Sequence, residues 1–84
     1  MSNERHLLQL LHEADVPAPE VTIDPQGDVN FEWWSPGRVF EVALSEDGTM
    51  ICAGLFDDER LVETVTLGDT LPAFMVPAIL RAKP

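Results

Sequence analysis

The residues best suited to acid–base chemistry are two glutamates near the middle of the chain, Glu32 and Glu41. Each lies in a run that alternates apolar and polar residues, as a half-buried strand does. If the two runs form a hairpin, the carboxylates lie opposite one another on its outer face, where such a pair can act as general acid and general base. The sequence indicates no pocket, no nucleophile and no base of matched pKa near these two glutamates. We therefore predict no catalytic residue and a chain that is not an enzyme.

Four other side chains could act as nucleophiles or metal ligands. Cys52 would need a histidine base from the N-terminal segment, which holds both histidines. His6 and His12 are six residues apart, whereas two metal ligands on one face of a helix are three or four apart. Ser35 begins a Ser-Pro-Gly turn. We predict an inert strand cysteine, a turn serine and histidines that bind no metal.

A run of acids, Asp57-Asp58-Glu59, lies near Glu46 and Asp47 and offers the carboxylate oxygens that calcium prefers. The run lacks the alternating spacing and the central glycine of a calcium-binding loop. It predicts a solvated acidic turn, and the chain as a whole predicts no metal and no cofactor.

The length of 84 residues indicates one domain spanning residues 1–84. A domain of this size buries only about 60 to 65% of the surface that its unfolded chain exposes. The 45% of hydrophobic residues is typical of a globular domain rather than a disordered tail.

The charge is strongly acidic, with 15 acidic residues against five basic ones and a net charge of −10. Nucleic acid binding needs cations that neutralise phosphates, so we expect no direct nucleic acid binding and a basic partner if the partner is charged. The single cysteine excludes an internal disulfide and suits a reducing compartment. No run approaches the roughly 18 apolar residues of a membrane span, and the N-terminus does not resemble a signal peptide. We expect a cytoplasmic protein with no membrane partner.

The central stretch from Asp28 to Leu44 predicts an antiparallel hairpin closed at Ser-Pro-Gly, where proline presets φ and glycine tolerates positive φ. Trp33 and Trp34 are adjacent in its first strand, so the pleat sends them to opposite faces. The aliphatic neighbours assign Trp33 to the core and Trp34 to the other face.

The flanking segments predict two helices and further strands. Met1 to Asp15 predicts a helix, because its leucines recur at helical spacing and Ser2 or Asn3 can cap it. Pro17 and Pro19 should end this helix. Glu20 to Ile23 predicts a short strand, Thr49 to Phe56 a fourth strand, and Leu61 to Leu67 a weaker edge strand after a charged loop, Asp57 to Arg60.

Two details of the later segments follow from residue spacing. In the fourth strand we expect Ile51, Ala53 and Leu55 to face the core, with Met50, Cys52 and Gly54 on the other face. A second helix should begin at Gly68 to Thr70, and Pro77 should kink it or divide it. The order predicts an α+β domain: an N-terminal helix, an antiparallel meander of four to five strands, and a kinked C-terminal helix, with both helices on one face.

Three strand and turn features occur together: a first strand flanked by prolines between Pro17 and Pro25, a strand carrying Glu32-Trp33, and a hairpin closed by Asp47-Gly48. Together they resemble a loosely defined group of small bacterial proteins of unknown function. The resemblance covers about residues 17 to 55. It implies the fold and no particular activity.

If both helices cover the Trp33 face, an apolar stripe rimmed by acids remains on the other face. The predicted interaction surface consists of Trp34, Glu32, Val39, Glu41 and Ala43. The alternative is that a helix or the chain end covers Trp34.

These features favour a small, acidic, non-enzymatic interaction module. Its partner is either a second copy, bound through the open sheet face or an edge strand, or a basic protein. The alternative function is an acidic mimic of nucleic acid that inhibits a DNA- or RNA-binding protein, as phage or mobile-element proteins do.

Overall fold

The computed structural model describes residues 2–84, and in it two helices pack on one five-stranded antiparallel sheet. Neighbouring strands follow chain order, so the sheet is a simple meander. The predicted α+β class, meander and pair of flanking helices are confirmed. The elements in chain order are α1 (Asn3–Glu13), β1 (Glu20–Ile23), β2 (Val29–Ser35), β3 (Arg38–Leu44), β4 (Thr49–Phe56), β5 (Glu59–Thr66) and α2 (Met75–Ala82).

Helix α1 begins and ends through local contacts. The Ser2 hydroxyl accepts the backbone N–H of Arg5 at 3.2 Å, which satisfies one of the free donors of the first turn. The helix ends at Glu13, and Asp15 then takes a left-handed φ of 57°. It therefore ends before Pro17 is reached. The predicted start at Met1 lies outside the described residues.

The central hairpin forms as predicted, with Ser35 opposite Arg38 across a two-residue turn whose glycine has a φ of 78°. Trp33 is 1% exposed and stacks on Phe40 at a centroid distance of 5.9 Å. Its Nε1–H donates to the carbonyl oxygen of Pro17 at 2.7 Å, so the one polar atom of this buried ring is satisfied. Trp34 is 54% exposed. The opposite assignment of the two tryptophans is confirmed.

The side of β4 that faces the core is the opposite of the predicted one. Met50 and Cys52 are fully buried, whereas Ile51 and Leu55 are exposed. A strand with apolar residues on both faces carries no alternation that could decide between them. The pairing with β3 decides it, because buried Val42 lies opposite Cys52 and directly opposed residues share a face.

The turn between β3 and β4 explains this reversal. A four-residue loop would have placed Leu44 opposite Thr49, but the loop has one residue more and Leu44 lies opposite Met50. Gly48, at a φ of 90°, donates its N–H to the carbonyl of Ser45, which makes it a bulge glycine. One extra residue moves every side chain of the following strand to the other face.

The last two elements also differ from prediction in their starts. Only Asp57 and Asp58 form the turn before β5, and the strand begins at Glu59. Helix α2 begins at Met75 rather than at Gly68 to Thr70, which places Pro77 in the first turn. A proline there removes an N–H that has no partner inside the helix anyway, so the expected kink is not needed.

Both helices lie on the Trp33 face, and a single core fills the space between them and the sheet. Its large members are Leu7 and Leu11 of α1, Met75 and Ile79 of α2, and Phe31, Trp33, Phe40, Val42, Leu44, Met50 and Phe56 of the sheet. The smallest dimension of the molecule is 19 Å, which corresponds to one helix layer on one sheet layer. Neither helix in residues 2–84 has the length and apolar character to span a bilayer.

Candidate interaction face

The sheet face opposite the two helices, here called the open face, carries no covering element within residues 2–84. The strand register places all five residues of the predicted surface on it: Trp34, Glu32, Val39, Glu41 and Ala43. The exposed Trp34 shows that no helix covers it in this structure. The side chains of the open face form three rows that cross the strands, because directly opposed residues share a face.

The first row, here called the Trp34 row, is apolar in its middle and ends on a cation. Trp34 of β2 lies opposite Val39 of β3, which lies opposite Leu55 of β4, which lies opposite Arg60 of β5. Leu55 is 44% exposed. The row thus has an aromatic ring at one end and a guanidinium at the other.

The second row, here called the Glu32 row, is acidic at one end and apolar at the other. Glu20, Glu32 and Glu41 lie opposite one another on β1, β2 and β3, and Ala53 and Val62 continue the row on β4 and β5. The predicted opposition of Glu32 and Glu41 is confirmed. Like charges directly opposite one another destabilise a sheet, so this row favours the approach of a cation.

The third row, here called the Ala43 row, is polar at both ends. Asn30 of β2, Ala43 of β3, Ile51 of β4 and Thr64 of β5 lie opposite one another in that order. Ile51 is 51% exposed beside the small Ala43. The middle of the row therefore has one large and one small apolar side chain.

A shallow groove of about 400 Å³ lies across the open face. The carboxylates of Glu32 and Glu41 line one part, Leu55 and Val62 the apolar part, and Arg60 the β5 end. Between Ile51 and Leu55, the open side of β4 carries the small side chain of Ala53. This side chain forms part of the groove floor and leaves room above the sheet. The groove suits side chains of an approaching surface.

Sequence reasoning missed the β4 and β5 part of this face: Ile51, Ala53, Leu55, Arg60 and Val62. The missed signal is the glycine at the fourth position of the β3–β4 turn. The turn before β2 has the same hydrogen bonds and a glycine at the same place, Gly27, with a φ of 91°. Recognising both as bulge turns would have reversed the assignment of β4 and of everything paired with it.

The thiol of Cys52 is shut inside the core. Burial raises its pKa to about 11, and the nearby carboxylate of Glu63 adds to this effect. A thiol of this pKa holds its proton at neutral pH and is a poor nucleophile. The position agrees with the prediction of an inert strand residue, although on the core side.

Two of the three remaining nucleophile and ligand candidates make hydrogen bonds that join elements of the fold. The Ser35 hydroxyl donates to the carbonyl oxygen of Ala82 at 2.6 Å and fastens the end of α2 to β2. Nε2 of His6 lies 2.8 Å from the carbonyl oxygen of Gly68 and joins α1 to the segment after β5. His12 is exposed in the last turn of α1.

The acids at the β4–β5 turn pair with arginines. Asp57 lies 3.5 Å from Arg38, and Glu59 lies 3.0 Å from Arg81. No three His, Cys, Asp or Glu side chains in the described part of the chain are placed to hold a metal ion.

No protein-family model, curated protein or solved structure matches this chain.

Proposed function

We propose that this chain is a small, acidic, non-enzymatic interaction module that self-associates through its open face. The observation that carries the proposal is the concentration of exposed apolar side chains there. Of the seven large hydrophobic residues that are exposed in residues 2–84, four lie on the open face: Trp34, Ile51, Leu55 and Val62. A soluble monomer seldom leaves such a contiguous patch bare, and tryptophan is enriched where proteins bind one another.

The size of the face suits a dimer. Five strands about 4.8 Å apart and about seven residues long project over roughly 500 Å². Side chains that stand above the sheet expose more than this flat projection. The open face is therefore on the scale of the about 800 Å² per partner that a standard interface buries.

The charges of the face also permit a second copy. The open face carries three carboxylates and one guanidinium, so most of the net charge of −10 lies elsewhere on the molecule. The general repulsion between two acidic copies is long-range and is screened by salt. An apolar contact is not screened, so a dimer should persist at high ionic strength. A reducing, cytoplasmic setting belongs to the proposal and is supported by the single, buried thiol.

Two isoleucines provide a matched test. Ile51 is on the open face. Ile23 lies opposite Val29, on the side of the sheet that the helices cover, and both isoleucines are strongly exposed. Ile51→Ala should weaken the dimer by about tenfold because it removes apolar surface from the interface. Ile23→Ala makes the same chemical change and should leave the dimer unaltered.

Molar mass is measured by light scattering over a concentration series at low and at high salt, with Trp34→Ala as a second variant on the open face. Circular dichroism checks that each variant remains folded. A chain that remains monomeric throughout the series would refute self-association. A dimer that Ile23→Ala disrupts and Ile51→Ala does not would move the interface to the other face.

The alternative is an acidic mimic that binds a basic nucleic-acid-binding protein. The row of three adjacent carboxylates, Glu20, Glu32 and Glu41, favours it, as does the net charge. A mimic predicts a complex that weakens steeply as salt rises and that Ile51→Ala leaves largely intact. The apolar interface predicts the opposite response to both changes.

A further inference from the structure

Two of the three rows of the open face, the Trp34 row and the Ala43 row, have a property that a flat apolar patch lacks, because each is complementary to its own reverse. The property concerns strands β2 to β5 and is independent of β1 at the edge. When a second sheet packs face to face with its strand order reversed, β2 lies over β5 and β3 over β4. A two-fold axis parallel to the strands, between β3 and β4, produces this arrangement and keeps each row over itself.

In the Trp34 row, reversal pairs apolar residues in the middle and opposite characters at the ends. Val39 lies over Leu55 of the second copy, and Trp34 lies over Arg60 of the second copy. A guanidinium over an indole ring is a favourable cation–π arrangement. In the dimer, this row therefore has an aliphatic centre with one aromatic–cation contact at each end.

In the middle of the other two rows, reversal places large side chains over small ones, whereas at the ends of the Glu32 row Glu32 lies over Val62 of the second copy. Glu41 lies over Ala53 of the second copy, and Ile51 lies over Ala43 of the second copy. At the ends of the Ala43 row, Asn30 meets Thr64, polar against polar. Sheets that pack face to face are about 10 Å apart, so a small residue opposite a bulky side chain leaves it room.

The charges fit the same arrangement. Arg60 makes neither of the two ion pairs found in residues 2–84, which involve Arg38 and Arg81. In the reversed packing, the guanidinium of Arg60 lies over Trp34 of the second copy. Glu32 of that copy is two residues away along the same strand, a distance of about 7 Å. It would offset the unfavourable opposition of Glu32 to its like-charged neighbours.

We propose that two copies pack face to face with reversed strand order, so that Arg60 of each copy binds Trp34 and Glu32 of the other. This inference rests on the proposed self-association and identifies its partner, its symmetry and its charged contacts. Each site is incomplete in one copy, because the cation comes from β5 of the second chain.

A charge exchange between Arg60 and Glu32 tests the arrangement. Arg60→Glu should weaken the dimer by about tenfold or more, because it places a carboxylate beside Glu32 and over an indole ring. Glu32→Arg should also weaken it, by bringing two guanidinium groups together. The double variant should associate more tightly than either single variant, because the pair is restored with the charges exchanged.

The Glu32→Arg variant separates specific pairing from overall charge. It makes each chain less acidic, so general repulsion alone predicts a tighter dimer, whereas the reversed packing predicts a weaker one. Glu63→Arg, on the opposite side of β5, makes the same change in charge away from the open face and is the control. Arg5→Glu on α1 is the corresponding control for Arg60→Glu.

Dissociation constants from sedimentation at moderate ionic strength give the outcome. A dimer that Arg60→Glu weakens, Glu32→Arg tightens and the double variant leaves unchanged follows net charge alone and overturns the reversed packing. In that case self-association itself still stands. If the unsubstituted chain is monomeric at every concentration, the proposed function fails as well, and a basic partner becomes the occupant to test.

Discussion

Neighbouring residues of this chain have opposite roles because a strand alternates its faces. Trp33 is enclosed, with its ring nitrogen bonded to the carbonyl of Pro17, whereas Trp34 projects from the open face. The first residue holds the layers together, and the second is available to a partner. Substituting each therefore separates stability from association. Loss of the Trp33 side chain should unfold the domain, whereas loss of the Trp34 side chain should dissociate the proposed dimer and leave each domain folded.

The buried thiol predicts a stability change at alkaline pH. The pKa of Cys52 is about 11 in the folded chain against 9.0 for a free thiol, so the folded state holds this proton more tightly. The contribution is complete below pH 9 and is lost as the pH rises from about 9 to about 11. Two pKa units limit the loss in the free energy of unfolding to about 3 kcal/mol.

Urea unfolding of the original chain and of Cys52→Ala measures this contribution. The difference between them below pH 9 reports the cavity left by the thiol, and only the change in that difference across the window reports the ionisation. The difference should shrink as the pH passes through the window. A difference that stays constant would show that Cys52 ionises as readily in the folded chain as in the unfolded one.

At the scale of elements, β4 is the strand whose two faces lie in different environments although both are apolar. Its core side carries Met50, Cys52 and Phe56, and its open side carries Ile51 and Leu55. Hydrophobicity alone cannot tell these sides apart. The bulge glycine of the preceding turn and the pairing with β3 assign them.

Gly54 predicts where β4 tolerates no side chain. A Cβ at this position would lie 2.7 Å from Cε2 of Phe56 and 3.4 Å from Cδ1 of Phe40, within the buried layer. Gly54→Ala should therefore lower the free energy of unfolding by about 1 to 3 kcal/mol through overpacking. A Cβ at Gly68 would meet no atom within 4 Å, so Gly68→Ala is the control. Its change should be within about 0.5 kcal/mol.

Denaturant unfolding of both glycine variants decides the point. Equal effects at the two sites would mean that the Phe56 ring moves aside freely and that the core at β4 is loosely packed. A large effect at Gly54 alone would confirm that its missing side chain makes space for the two rings.

At the scale of the whole molecule, both helices cover one side of a thin domain, and no element within residues 2–84 covers the other side. A core of this size gives only modest stability, and burial of the open face in a dimer would add to it. The thermal unfolding midpoint should therefore rise with protein concentration. The midpoint of Ile51→Ala should change much less over the same range. A midpoint of the original chain that is independent of concentration would contradict the dimer.

The candidate site was half predictable from sequence. The β2 and β3 part, from Trp34 to Ala43, follows from two alternating runs joined by a short turn, and the structure places all five predicted residues on one face. The β4 and β5 part was assigned to the wrong side or left out. It depends on the number of residues in one turn, and a single residue more or less reverses every position that follows.

Residue types alone predict the order of the elements, the hairpin at Pro36-Gly37 and the separation of Trp33 from Trp34. These are local matters, because residue type sets turn geometry and the pleat sets alternation. The folded chain was needed to show which side of β4 is buried, where α2 begins and which side chains of four strands form a row. Those results depend on register between strands and on packing between layers, which bring together residues that are distant along the chain.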